Sequence, residues 1–248
     1  MKTGFIRRLT DGRDYAYCLK FLDHNHISAM LDLQAEILAV LPDKDLFAPS
    51  NATIMARDLG PEGMTVGMFV EDRLCGYMSL HWVHWDRGRD DELNLEKLIQ
   101  FPQEELPQVI RFRHTALHPH FQGGNAVMNK IGPVLLERAR LSNPPPRYLC
   151  SLHSPKNYAS LSFPFFLGML AIKLIINRLG MYRFLCFQDF QRPLRVSTKD
   201  AMHISGADTN RLLQITGNDY CGYGISRKRG ESFIAFGKRE GPNIQGFQ

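Results

Sequence analysis

The stretch Thr115-Ala116-Leu117-His118-Pro119-His120-Phe121-Gln122-Gly123-Gly124-Asn125-Ala126-Val127 decides how this chain is read. Val109–Leu117 reads as a strand that ends at His118-Pro119. A turn with two glycines follows at once, and Ala126–Leu141 then carries Val127, Ile131, Val134 and Leu135 at helical spacing. Strand, glycine turn and helix in direct succession leave unpaired backbone N–H groups and the positive end of a helix dipole aimed at one spot. A pyrophosphate is a natural occupant of such a place. Gly123 and Gly124 let an anion approach the backbone, and Asn125 accepts a left-handed conformation more readily than most residues. The same residues also describe an ordinary strand–turn–helix link, because short glycine loops are common.

On the N-terminal side, Tyr15–Leu22 alternates as a first strand, and Ile27, Met30, Leu31, Leu33, Ile37 and Leu38 recur at helical spacing after the caps Asp23 and Asn25. Asn51 caps a short helix that Gly60-Pro61 stops. Met64–Val70 and Leu74–Trp85 are strands joined by the hairpin turn Glu71-Asp72-Arg73, and Asp86–Glu105 is a polar connection. On the C-terminal side, Pro144–Pro146 closes the helix, Tyr148–Leu152 is a strand and Asn157–Leu167 a helix. Leu170–Ile176 and Tyr182–Phe190 form a hairpin about Asn177–Gly180. Thr198–Thr209 is polar and small, Asp208–Leu213 is a short helix and Ser232–Phe236 a strand. The resulting order β-α-α-β-β-β-α-β-α-β-β predicts an α/β (α+β) fold, a mixed sheet flanked by helices.

Composition narrows the function classes. The 248 residues, 44% hydrophobic and 22% charged, suffice for one large core. A formal charge of +5 suits an anionic ligand but comes without the dense basic stripe of a nucleic-acid binder, so no nucleic-acid partner is expected. Five widely spaced cysteines, Cys18, Cys75, Cys150, Cys186 and Cys221, form no CxxC pair or disulfide framework, which points to a cytoplasmic protein without a structural metal. Met1–Thr10 lacks the apolar core of a signal peptide. Leu161–Ile176 is shorter than the roughly 20 residues of a spanning helix and is broken by Pro164, Gly168 and Lys173, so no membrane partner is expected either.

Leu117-His118-Pro119-His120-Phe121-Gln122-Gly123 resembles the V-x-P-x-x-[RQ]-G-x-G-x-[GA] segment of the GCN5-related N-acetyltransferases (GNAT), which cradles the coenzyme A pyrophosphate. The resemblance continues in order over about residues 15–190. Leu31–Glu36 and Val66–Gly76 look like the family's first helix and second hairpin. Ser154–Leu161 followed by Leu167-Gly168-Met169 looks like its N-x-x-[AS]…G-F element, and Tyr182-Arg183-Phe184 falls in its last strand. Asn125 stands where the second glycine is usual and Val127 where a small residue is, and Pro133 inside the helix predicts a kink.

The resemblance implies a GNAT-type, mostly antiparallel sheet flanked by helices over residues 1–194; beyond that core, Ser232–Phe236 must bury Ile234 and Phe236, which predicts residues 195–248 as an annex packed on the same core. The resemblance also implies acetyl-CoA or another acyl-CoA as co-substrate and a small-molecule amine as acceptor. The amine attacks the thioester directly in a ternary complex, with proton transfer through water. The backbone of Ala116 and Leu117 would hold the acyl carbonyl and the pantetheine arm. Gln122 and the amides of Gly123, Gly124, Asn125, Ala126 and Val127 would hold the phosphates, and Asn157 would contact the pantetheine, unless it is only a helix cap.

The family's usual catalytic groups are missing, because Arg113 occupies the place of a frequent Glu and Pro164 that of a frequent Tyr. His114, with an ordinary pKa of about 6.5, is the candidate base, although strand alternation turns it away from its neighbours. Arg111 and Arg113 read either as a solvated strand face or as ligands for an anionic substrate. The missing Glu and Tyr motivate an alternative, a catalytically inactive acyl-CoA-binding module.

Overall fold

β3 (Gly63–Val70) and β4 (Arg73–Trp82) pair antiparallel about Glu71-Asp72, whose φ angles of 49° and 63° make the tight turn that best fits the twist of a hairpin. In this computed structural model, which describes residues 2–86, 99, 101–122, 126–177 and 179–241, the chain forms two compact units. Met1–Trp82 and Phe112–Pro145 make the first, and Val83–Arg111 and Pro146–Gln248 the second.

In the first unit the strands run in the order β1 (Lys2–Arg7), β2 (Asp14–Phe21), β3, β4 and the part of β5 (Val109–Leu117) from Phe112 on, and β1, β2, β3 and β4 pair antiparallel. Helix α1 (Ile27–Val40) buries Met30, Leu33, Gln34 and Ile37, one stripe at i, i+3, i+4 and i+7, and packs over β4. Helix α2 (Ala52–Asp58) begins at Asn51, whose side chain accepts from the Ile54 amide at 2.9 Å. Helix α3 (Met128–Ala139) packs on β3 and β4 through Ile131, Leu135, Leu136 and Ala139 and runs on through Pro133. The core between α1, α2 and the strands gathers Leu33, Ile37, Met55, Phe69, Leu74, Tyr77 and Ala116.

The second unit orders its strands β6 (Tyr148–His153), β8 (Tyr182–Asp189), β7 (Leu170–Ile176), β10 (Tyr220–Lys228), β11 (Glu231–Glu240) and β9 (Arg195–Ile204), all in antiparallel pairs. Helix α4 (Tyr158–Phe166) is capped by Asn157 and α5 (Thr209–Thr216) by Asp208. Gly206 sits where chain meets chain. A Cβ there would lie 2.0 Å from the Pro155 carbonyl oxygen, and the Gly206 amide donates to Tyr158 Oη at 2.8 Å. Residues 195–241 thus belong to the packing of this unit, with β11 inside its sheet and Ile234 and Phe236 fully buried.

The structure departs from the sequence reading at several elements. A strand, β1, precedes the expected first one, and the run beginning at Leu74 ends as strand at Trp82 and continues as a 3-10 turn, Val83–Asp86. The polar stretch from Thr198 is largely strand, because β9 is an edge whose side chains, apart from Ile204, stay at least partly in solvent. Most of Asp86–Glu105 lies outside the described residues. Among the described residues, no helix is long and apolar enough to cross a membrane.

Phe236, central in β11 and packed against Phe184 with the rings tilted and their centroids 6.1 Å apart, gives a direct check of this packing. Phe236→Ala is expected to cost about 3–5 kcal/mol by denaturant unfolding. A loss below about 1 kcal/mol would show that β11 is not a core strand.

Candidate functional site

Asp58 ends α2, and its carboxylate is completely buried. Gly60-Pro61 turns the chain, and Gly63 then brings β3 against the helix end. A Cβ at Gly63 would lie 2.6 Å from the Leu80 carbonyl oxygen and 3.1 Å from Asp58 Cα. Thr65 on β3 donates from its hydroxyl to the Asp58 carbonyl at 3.3 Å and shares a 2.9 Å hydrogen bond with Ser79 on β4. These contacts fix the backbone of Asp58, so its side chain has one direction to take.

Three cationic or potentially cationic groups meet that carboxylate. Arg113 Nη1 lies 3.4 Å from Oδ1, His81 Nδ1 3.4 Å from Oδ1, and His114 Nε2 3.6 Å from Oδ2. Burial pushes the Asp58 carboxyl up, but the contact with His81 and the charges of His114 and Arg113 outweigh it and hold the group below its usual range. Asp58 is therefore an ionised, acceptor-only group. Ser50 Oγ lies 3.3 Å from His114 Nε2, and the Ser50 amide donates to Gln34 Oε1 at 2.6 Å, so α1 fixes the loop that touches the ring.

Two expectations change here. Arg111 and Arg113 do not form a solvated strand face, because Arg111 is 2% exposed and the Arg113 side chain 5%. A buried guanidinium needs a carboxylate, and for Arg113 that is Asp58. His114 does not turn away from its neighbour either. Successive strand residues normally point to opposite faces, yet His114 and Arg113 both reach Asp58. Sequence reasoning missed Asp58 and His81 altogether, since a lone Asp at a helix end and a lone His on a strand carry no local signal.

The end of β5 is tied down residue by residue. The His118 amide donates to the Cys75 carbonyl at 2.8 Å, and Gln122 Nε2 donates to the Leu117 carbonyl at 2.9 Å. His118 Nδ1 accepts from the His120 amide at 3.1 Å, while Nε2 faces Glu36 Oε2 at 3.3 Å. Burial, with the charges of His120 and Arg73, holds the His118 ring below the usual imidazole range. Pro119–Phe121 forms a 3-10 turn, and Ala126 has φ 46°, a left-handed conformation that an alanine adopts only under constraint. Helix α3 then starts on Val127 without a capping side chain, whereas α2, α4 and α5 each begin on an Asn or Asp cap. Its first N–H groups are thus left without a side-chain acceptor from the cap position.

Ala116 is buried, and Val127 is buried with its carbonyl accepting from Lys130 and Ile131. Gly123, Gly124 and Asn125 lie outside the described residues. In the second unit, Asn157 Oδ1 accepts from the Ser160 amide at 2.9 Å, so Asn157 does cap α4. Among the described residues, no group of three His, Cys, Asp or Glu side chains is arranged to hold a metal ion.

No protein-family model and no curated protein matches the sequence. Solved structures do match. An uncharacterized protein from Bacillus halodurans is 8% identical over 76% of this chain and 91% of that one, with a TM-score of 0.51. AAC(6')-Ib in complex with ribostamycin and coenzyme A is 13% identical over 71% of this chain and 94% of that one, with a TM-score of 0.50. The fold is GNAT-like, mixed α/β with mostly antiparallel strands flanked by helices.

Replacing Arg113 tests the buried pair. Arg113→Met is expected to cost about 3 kcal/mol at neutral pH, because it leaves Asp58 undercompensated. A carboxyl held low in the folded state stabilises it above the unfolded pKa of about 3.9, and that contribution is lost as pH falls through the folded value. The gap between variant and wild type in denaturant unfolding should therefore close below about pH 4. A gap independent of pH would mean that Arg113 contributes packing alone.

Proposed function

We propose that this protein is an acyl-CoA N-acyltransferase that moves an acetyl or other acyl group to a small-molecule amine by direct attack in a ternary complex. The observation that carries the reading is the end of β5. In a GNAT-like fold, a strand tied at His118 and Gln122 leads into a helix whose N-terminus has no capping side chain and follows a left-handed Ala126. An anion is the natural partner of such a terminus. The proposed phosphate ligands are Gln122 and the amides of Gly123, Gly124, Asn125, Ala126 and Val127. The backbone of Ala116 and Leu117 is proposed for the acyl carbonyl and pantetheine, and Asn157 for a further pantetheine contact. Residues 1–194 are proposed as the acyltransferase domain and 195–248 as its annex, and the cytoplasm as the compartment, the five cysteines being free thiols.

In this reaction the amine nitrogen bonds to the thioester carbon, the C–S bond breaks, and coenzyme A leaves as a thiolate that takes a proton from solvent. His114 is proposed to accept the proton that the amine loses, directly or through water. Its contacts with Ser50 and Asp58 support this role, because a base held by its neighbours meets its substrate in one orientation. A second reading, a silent acyl-CoA-binding module, is favoured by Arg113 and Pro164 at the places where the resembled family often has Glu and Tyr.

Millimolar acetyl-CoA is expected to raise the melting temperature by mass action, and acetyl-CoA with a panel of amines should release free thiol only when an accepted amine is present. Gly124→Asp, which sets a charge against the phosphates, should abolish the shift while the fold is kept. Binding without thiol release would favour the silent module. No shift with acetyl-, propionyl- or longer acyl-CoA would contradict both readings.

A further inference from the structure

A groove runs beside helix α3, over the sheet of the first unit, and encloses about 430 Å³, within the usual size of small-molecule sites. Strand register builds its floor. Lys2 of β1 pairs with Leu19 of β2, and Phe21 of β2 pairs with Val66 of β3, so these four side chains share one face of the sheet. Val134, Glu137, Arg138 and Leu141 line the other wall at i, i+3, i+4 and i+7, the spacing of one helix face, with Leu141 just past the helix end. Leu19 and Val66 are buried, but Phe21 is 50% exposed and Leu141 74%, so a large apolar side chain stands open on either wall. Single exposed apolar residues are ordinary, whereas two flanking one groove mark a surface suited to an apolar partner.

The charges around this groove do not balance. Lys2 Nζ lies 2.8 Å from Glu137 Oε2, a bond that holds the Glu137 carboxyl below its usual range, so these two charges answer each other. Strand alternation sends Lys20 to the face opposite Leu19 and Phe21, where its ammonium lies 5.0 Å from the centre of the Phe69 ring. Arg138 is exposed, and no acidic side chain among the described residues pairs with it. One uncompensated guanidinium calls for a single negative charge, and the Glu137 carboxylate beside it in sequence opposes a second. A carboxylate fits the guanidinium fork through two parallel hydrogen bonds. We infer that this groove binds a carboxylate with a medium-length alkyl chain, its head on Arg138 and its chain laid along Leu19, Val66 and Val134 between Phe21 and Leu141. The site uses no residue of the proposed acyl-CoA site and stands independently of the acyl-transfer reading.

The test uses decanoate, the uncharged decanol and the full chain with 13C-labelled Leu and Val methyl groups. Decanoate below its micelle concentration should shift the methyl signals of Leu19, Val66, Val134 and Leu141 in a saturable way. Arg138→Gln, at an exposed position, should weaken decanoate about tenfold and leave decanol unchanged, since only the carboxylate loses a charge-assisted partner. Leu141→Asp, also at an exposed position, should weaken both ligands. No saturable shift, shifts confined to other residues, equal affinity for decanoate and decanol, or an Arg138→Gln variant that binds decanoate like wild type would each overturn the inference. Groove signals that move with protein concentration and not with decanoate would assign the groove to a second copy of the chain, and overturn it too. The acetyl-CoA melting shift should be equal in wild type and both variants. Decanoate binding as described, in a protein that shows no acyl-CoA shift at all, would contradict the acyl-transfer reading and leave this site standing.

Discussion

A carboxylate with no exposure to water is the constraint on which the first unit of this protein depends. Removing an ion from water costs several kcal/mol unless charge and hydrogen bonds replace the solvent. For Asp58 the replacement comes from separate elements: Arg113 and His114 on β5 and His81 on β4. Burial raises the Asp58 carboxyl pKa, and the contact with His81 and the charges of His114 and Arg113 lower it below its usual range. The constraint therefore sets the place of α2 against two strands at once. It also explains why β3 carries a glycine at position 63, where a side chain would collide with the Leu80 carbonyl.

A site built this way combines rigidity with chemistry. The end of β5 is held on one side by the Asp58 cluster and on the other by the hydrogen bonds that the His118 amide donates to the Cys75 carbonyl and Gln122 Nε2 to the Leu117 carbonyl. Between them lie His114 and the backbone of Ala116 and Leu117. The helix that follows keeps its N-terminal donors clear of a capping side chain. The proposed base and the proposed phosphate site would thus lie on neighbouring parts of the chain, as transfer from a carrier bearing phosphates requires.

Much of this was legible in the sequence, for identifiable reasons. Strands with a regular apolar run, such as Val109–Leu117, and helices with a cap and a stripe, such as Asn51 before α2, carry their structure in local pattern. The strands that escaped are edges or glycine-rich. In β1 Ile6 is buried while its neighbours face solvent, β9 buries Ile204 alone, and β10 holds Gly222 and Gly224, so none alternates in hydrophobicity. The position of His114 as a base candidate could be read by counting along β5. Its contact with Asp58 could not, because Asp58 lies 56 residues away along the chain, and nothing local marks the two as neighbours. The burial of Arg113 was hidden for the same reason, an arginine on a strand being ordinarily a surface residue.

The central claim, that the segment from the end of β5 into α3 receives the phosphates of an acyl-CoA, is tested most directly by hydrogen exchange with and without acetyl-CoA. Ligand-bound amides should exchange more slowly, and the account predicts that the strongest protection falls on peptides spanning Leu117 to Ile131. Protection elsewhere with this segment unchanged, or no protection at saturating acetyl-CoA, would contradict it.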